Sequence, residues 1–399
     1  MSEPFGVYIH WPFCLSKCPY CDFNSHVRAA AIDQPRYTAA FEAEIASTAA
    51  RIGARTVSTI FIGGGTPSLF SAASIERLLT AIRTRIVVDP EAEITMEANP
   101  GTFEVEKFRG YREAGVNRLS LGVQSFDDRA LTAIGRVHGA GEARRALAAA
   151  LEIFPTVNAD LMYALPGQSL EAALADVREA IASGVAHVSA YHLTLEPDTH
   201  FHRFPPQLPD DDAAADMQEG IEALLRGAGY QHYETSAFAR PGHRARHNLN
   251  YWTFGDYIGI GAGAHGKISF PDRIAREVRE RKPATYLRSA LEAQPVREVR
   301  TLVPEELPFE FMLNALRLIE GFPVPLFTQR TGLPITVIER QLNEAESAGL
   351  LARDHAAIRP TQKGQRFLND LLEPFLPAQG ASTRTIPINI SSPGTSRPS

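Results

Sequence analysis

The chain has 399 residues, a formal net charge of −6, 44% apolar and 22% charged residues, and three cysteines. That length and composition suit a soluble protein with one large core or two. The acidic balance argues against a general nucleic-acid binder, and no apolar run nears the ~20 residues that a bilayer span needs. The opening Met-Ser-Glu-Pro-Phe has neither the basic nor the apolar region of a signal peptide, and all three cysteines sit in one loop, so a cytoplasmic, reducing location is expected.

Along the first two hundred residues, short β-branched runs alternate with Ala-rich helical stretches. Strands are expected at Gly6–His10, Val57–Ile62, Glu93–Glu97, Arg118–Val123, Val157–Met162 and His187–Thr194, with helices at Arg36–Arg51, Ser74–Ile86, Val105–Ala114, Glu142–Leu151 and Leu170–Ser183. Near-continuous apolar strands separated by helices point to a parallel α/β sheet. Six such units suit a partial, TIM-like (β/α)6 barrel better than a closed one of eight. The middle is less regular, with a Pro- and Asp-rich loop at 204–212 and a Gly-rich run, Ile258 to Gly266, whose glycines suit either close approach to a ligand or tight packing.

Residues 1–285 are thus expected to form the barrel domain. From about Leu302 the order becomes helix Leu333–Gly349, hairpin Leu350–Arg359 and helix Gln362–Leu372, so 286–377 reads as a smaller, α-rich, winged-helix-like domain. Arg330 to Leu376 balances six basic against six acidic residues, a poor phosphate-binding face, and no nucleic-acid partner is expected. The Ser/Thr/Pro/Gly-rich stretch 378–399 reads as a disordered tail.

Chemistry concentrates in Cys14, Cys18 and Cys21, spaced Cys-x3-Cys-x2-Cys. Thiolates this close suit a soft metal centre. A cubane cluster usually takes four cysteines, so three would leave one iron open to an outside ligand. Zinc held by the three thiolates and His10 or His26 is the competing reading. Ligands in parallel α/β folds gather at the C-terminal strand ends. Here those ends carry Gly63-Gly64-Gly65-Thr66-Pro67, whose amides and hydroxyl could hold a charged group, then Glu97, Gln124 and Asp160. Each has a bland reading as turn, cap or buried ion pair; five consecutive strands ending this way, facing a thiolate loop, favour a site.

The cysteine spacing, with an aromatic before the last cysteine, resembles the radical S-adenosylmethionine (SAM) superfamily. Tyr8, Tyr20, the Gly-Gly-Gly-Thr-Pro turn, Glu97, Gln124 within Gly-Val-Gln-Ser-Phe, Arg136 and Asp160 extend the resemblance to the branch holding oxygen-independent coproporphyrinogen III oxidase and the HemW haem chaperones, over residues 5 to 376. By that resemblance Cys14, Cys18 and Cys21 hold a 4Fe–4S cluster that supplies an electron for SAM cleavage. Gly65, Thr66, Glu97, Gln124, Arg136 and Asp160 would bind the polar groups of SAM, with Tyr8 and Tyr20 lining its pocket. Phe23, where the oxidase has a fourth cysteine, and only 13 residues before Cys14 match the chaperone branch, so coproporphyrinogen oxidase activity is the alternative rather than the expectation. So does His247-Asn248-Leu249-Asn250-Tyr251-Trp252, which implies haem with His247 as ligand on a polar loop, Tyr251 and Trp252 as stacking partners, and His243 and His265 as weaker candidates. The implied partners are haem, a haem-acceptor protein and an electron donor, with membrane contact only peripheral and through the acceptor.

Overall fold

The computed structural model describes residues 4–27, 32–101 and 105–377, and the backbone of 385–386. Six β/α units open the chain: β1 (Phe5–Trp11), α1 (Gln34–Ile52), β2 (Thr56–Gly64), α2 (Ala72–Arg83), β3 (Val87–Ala98), α3 (Phe108–Ala114), β4 (Arg118–Gln124), α4 (Ala140–Ile153), β5 (Thr156–Tyr163), α5 (Leu170–Ser183) and β6 (His187–His192). The helices begin where the sequence caps them. Asp33 accepts the Arg36 N–H, Ser71 that of Ser74 and Ser169 that of Ala172, which satisfies amides the helix itself leaves open. In α2, Ile75, Leu78, Leu79 and Ile82 form one buried stripe against the sheet.

Strands β1 to β6 run parallel, each beside the next, with Tyr8 opposite Phe61, Phe61 opposite Thr95, Glu97 opposite Ser120 and Asp160 opposite Ser189. The sheet then grows at both margins. After α6 (Asp211–Gly227), β7 (Gln231–Glu234) and β8 (Ala237–Ala239) add antiparallel beyond β6. On the other side, β9 (Asp256–Ile260) lies parallel to β1, and β10 (His265–Ser269), β11 (Ile274–Arg279) and β12 (Val296–Thr301) continue antiparallel. The thirteen strands end without closing, so the expected open α/β barrel is present and its sheet is larger than six units. The Gly-rich run proves to be the β9–β10 hairpin. A Cβ on Gly261 would meet the His10 carbonyl at 2.3 Å and one on Gly263 the Asn24 amide at 2.4 Å, so its glycines serve packing against the cysteine loop.

The main core fills the space between sheet and helices; a second core joins Leu302, Phe311, Phe327, Leu342, Leu351 and Phe375 to Phe254 and Ile274. Because β12 belongs to the large sheet, the sheet runs past the expected boundary at 285/286, and the second core draws in Phe254 and Ile274 from before it. The winged-helix order is present: helices Leu307–Ala315, Val324–Thr331 and Glu339–Ser347, then the hairpin Leu351–Arg353 with Ala357–Pro360. Two expected helices are shorter. The first opens as a 3-10 turn, Ile335–Ile338, after Pro334, and the second breaks at Phe367 between Gln362–Arg366 and Leu368–Leu372. Of the expected tail, only the Thr385–Ile386 backbone is described, paired to β12; the remainder lies outside the described residues. No described helix is long and apolar enough to cross a membrane.

Candidate functional site

The cysteine loop leaves β1 through an aromatic cage. Trp11, fully buried, packs on Phe13, Tyr37 and Phe70, which fixes the loop's exit. The Gly63–Thr66 turn lies directly beneath. A Cβ on Gly65 would meet the Phe13 carbonyl at 2.6 Å, and Gly64, at φ +113°, sits against the His10 ring, so both positions require glycine. The amides here were expected to be available for a charged ligand. The fold uses them instead: Gly64 N–H donates to Glu97 Oε2, Gly65 N–H to the Trp11 carbonyl and Thr66 N–H to the Phe13 carbonyl. Of that expectation the Thr66 hydroxyl is left, accepting from Asn99 Nδ2 at 3.2 Å.

Loop and turn roof a cavity of about 690 Å³ at the C-terminal strand ends. Cys14, Cys18 and Cys21 all line it; Cys14 is buried and the other two half-buried, and burial pushes the Cys14 and Cys21 thiols up. Among the described residues, no three His, Cys, Asp or Glu side chains converge to hold a single metal ion. His10 is in any case not free for zinc: its Nδ1 meets the Tyr8 hydroxyl at 2.8 Å and its Nε2 the Asn24 carbonyl at 2.9 Å. Three thiols lining one space, with no fourth His, Cys, Asp or Glu converging on them among the described residues, suit a cluster with an open iron better than a tetrahedral ion.

Glu97, Gln124, Arg136, Asp160, Gly65, Thr66 and Tyr20 line the same cavity. Glu97 is pushed up to about 8 by burial first and then by Asp160, against the Gly64 amide. Burial also raises Asp160, although it accepts from Ser120 Oγ at 3.0 Å and Asn158 Nδ2 at 2.7 Å. Two neighbouring buried carboxylates that both resist ionisation want a cation. Arg136 wants an anion. Its Nη2 donates to Asn99 Oδ1 at 2.7 Å and to the Gly122 carbonyl at 2.9 Å, its Nη1 lies 3.7 Å from Cys18 Sγ, and its buried Nε has no hydrogen-bond partner among the described residues. Gln124 sits at a bulge with φ +66°, a strained conformation that turns its side chain toward the cavity. A ligand with both cationic and carboxylate groups, as SAM has, fits these residues.

Tyr8 lies outside the lining, below the floor, stacked on Phe61 at 5.8 Å. Asn99 was missed by reading one residue per strand end; it directly follows β3 in Glu-Ala-Asn-Pro and bridges Thr66 to Arg136.

The His-Asn-x-x-Tyr-Trp segment does not reach the cavity. It is not a polar loop but helix α7 (Arg246–Trp252), and His247 is 7% exposed. Its Nδ1 and N–H both lie on Glu93 Oε1, at 2.9 and 3.0 Å, and its ring stacks on Phe61 at 4.4 Å. Burial pushes Glu93 up, but the hydrogen bond and charge of His247 outweigh it and hold the carboxyl at about 2. His247 Nδ1 also lies 3.4 Å from Thr95 Oγ1, two residues before Glu97, so the imidazole sits roughly 7 Å below the cavity floor without lining it. Tyr251 packs edge-on against Tyr257, and the Arg317 guanidinium covers Trp252 at 4.3 Å. His243 lies beside Thr156 at 3.4 Å, and His265 is exposed at the start of β10.

The Radical SAM superfamily model matches residues 8–180 and that of the HemN C-terminal domain residues 302–367. The fold matches a structure described as coproporphyrinogen III oxidase (HemN) from Escherichia coli, a radical SAM enzyme, at TM-score 0.80 and 23% identity, over 94% of this chain and 90% of that one. Heme chaperone HemW of Escherichia coli is 49% identical over 377 residues, covering 94% of this chain and 98% of its own. The Haemophilus influenzae heme chaperone HemW is 45% identical over 379 residues, with the same coverage. Mouse radical S-adenosyl methionine domain-containing protein 1, mitochondrial, is 33% identical over 391 residues, 94% of this chain and 88% of its own. With relatives matched at this identity over nearly their whole length, the chain belongs to the HemW family of radical SAM proteins.

Proposed function

We propose that this protein is a haem chaperone that binds haem and hands it to an acceptor protein, with a 4Fe–4S cluster on Cys14, Cys18 and Cys21 and SAM in the adjoining cavity. The observation that carries the reading is near full-length similarity to curated haem chaperones, at up to 49% identity in the relatives above. Held by Cys14, Cys18 and Cys21, a cluster would supply the electron for reduction of SAM bound beside it. The chain's own part is to hold the ligand and keep it dry. Arg136 suits a carboxylate, Glu97 and Asp160 suit cationic groups, and Gln124 and Thr66 offer neutral hydrogen bonds. Cytoplasmic location, an electron donor and membrane contact only through the acceptor belong to the same proposal.

The oxidase reading shares the fold. Position 23, two residues past Cys21, is an exposed phenylalanine at the cavity rim rather than a thiol, which favours the chaperone. Anaerobically reconstituted protein should carry iron and sulfide, and Cys18→Ser should lose the broad thiolate-to-iron absorbance. The reconstituted protein should bind haem and load an apo-acceptor while leaving coproporphyrinogen III unchanged. Protoporphyrinogen IX formation without haem binding would turn the assignment to the oxidase.

A further inference from the structure

The expected haem ligand, His247, sits under Phe61 with its Nδ1 on Glu93, in the interior of the sheet. Haem is a flat apolar ring with two carboxylates and an iron that accepts imidazole. Its site should therefore offer an accessible imidazole, cations for the propionates and exposed apolar side chains for the ring. A surface beside the cysteine loop combines the three.

His265 opens β10 with its side chain exposed, and its ring makes no hydrogen bond among the described residues. It stands opposite Val278 on β11, which stands opposite Glu298 on β12, so the three share one face. Arg276, Arg281, Arg297 and Arg279 are the charges that act on it. Arg276 and Arg279 are tied to Glu310 and to Glu44 with Glu277, whereas Arg281 and Arg297 are exposed, Arg297 with Glu298 at 3.6 Å.

The cysteine loop borders this surface. Asn24 Nδ2 donates to the Ala262 carbonyl at 2.9 Å and to the Arg281 carbonyl at 3.0 Å, and Gly263 packs on the same amide. On either side of Asn24, Phe23 is 53% and Val27 54% exposed. Large apolar side chains left in water on the loop segment that Arg281 holds through its backbone suit the ring of an amphipathic ligand.

We propose that haem docks on this surface, with the His265 imidazole on its iron, Arg281 and Arg297 on its propionates and Phe23 and Val27 against its ring. The proposal rests on the haem-chaperone reading above. It places haem against the loop that holds the cluster, so cluster and haem report on each other through Asn24.

Cluster-reconstituted protein, whose thiolates are engaged, is titrated anaerobically with ferric haem. His265→Ala should shift the Soret band and weaken binding roughly tenfold or more. His247→Gln, which can still hydrogen-bond Glu93, should change neither. Arg281→Glu with Arg297→Glu should weaken haem roughly tenfold but leave haem dimethyl ester, which lacks the carboxylates, unaffected. Circular dichroism checks that each variant is folded. Wild-type spectrum and affinity in His265→Ala would overturn the site, and loss in His247→Gln would return the ligand to α7. A wild type that binds no haem sinks the chaperone reading itself, a different outcome from either.

Discussion

Two groups of buried charges sit on this sheet, and they are built differently. Behind β11, Arg279 is fully buried with its Nε on Glu44 at 2.7 Å and its Nη1 on Glu277 at 2.8 Å. Arg51 closes on Glu277 at 2.6 Å, while Tyr286 and the Gly261 amide complete Glu44. Every carboxylate there faces a cation or a donor. At the cavity, Glu97 and Asp160 make no ion pair among the described residues: burial and then Asp160 push Glu97 up, and Arg118 acts on Asp160 only through its charge. The first group gives each of its carboxylates a cation, although Arg279 Nη2 itself has no hydrogen-bond partner among the described residues. The second is complete only with a ligand, and this separates charge that holds a fold from charge that holds a substrate.

The largest effect should come from breaking the paired group. Glu44→Ala leaves Arg279 one partner short in a dry site, a loss of about 3–5 kcal/mol of stability. Iron content and SAM affinity, measured well below the unfolding transition, should stay at wild-type values. Removing both charges, as Glu44→Leu with Arg279→Met, should recover part of the loss. Denaturant midpoints check both, and a Glu44→Ala protein of wild-type stability would erase the contrast.

The incomplete group should behave oppositely, because removing a charge there relieves it. Glu97 titrates near 8 when folded against an ordinary 4.5, so its contribution is fully present below about pH 4.5 and is lost as pH rises through about 8. Ligand-free wild type should therefore lose stability across that window relative to Glu97→Gln, by about 5 kcal/mol in all. A saturating cationic ligand should flatten the difference, and binding near neutral pH should release a proton. Parallel stability-pH curves for the two proteins would show that Glu97 is already paired.

The part of this contrast that was legible in sequence follows from locality. Three thiols within eight residues, and apolar strands each ending in a polar residue, lie along the chain where they can be read. The six β/α units and the cavity followed from them. Partners distant in sequence were not legible. His247 looks like a free imidazole until Glu93, 154 residues earlier, is brought to 2.9 Å. The Gly65 and Thr66 amides look available until Trp11 and Phe13 fold over them. Strands β9 to β12 are short and mixed in polarity, so their place in the sheet is set by pairing with β1 rather than by any period of their own.

The smallest effect tests how the cavity's cation is aimed. Asn99 holds Arg136 Nη2 through its Oδ1 and Thr66 through its Nδ2, so it ties two residues expected to contact SAM. Arg136→Ala removes the cation itself and should weaken SAM more than roughly tenfold while iron is retained. Asn99→Ala leaves the cation but frees its fork, which should weaken SAM by only about 1 kcal/mol. The two sites are in contact, so their effects should not add. If Asn99 acts through Arg136, Asn99→Ala should cost almost nothing in an Arg136→Ala background, as read by equilibrium dialysis of SAM. An equal loss in both backgrounds would make Asn99 an independent contact, and the aiming role would fall.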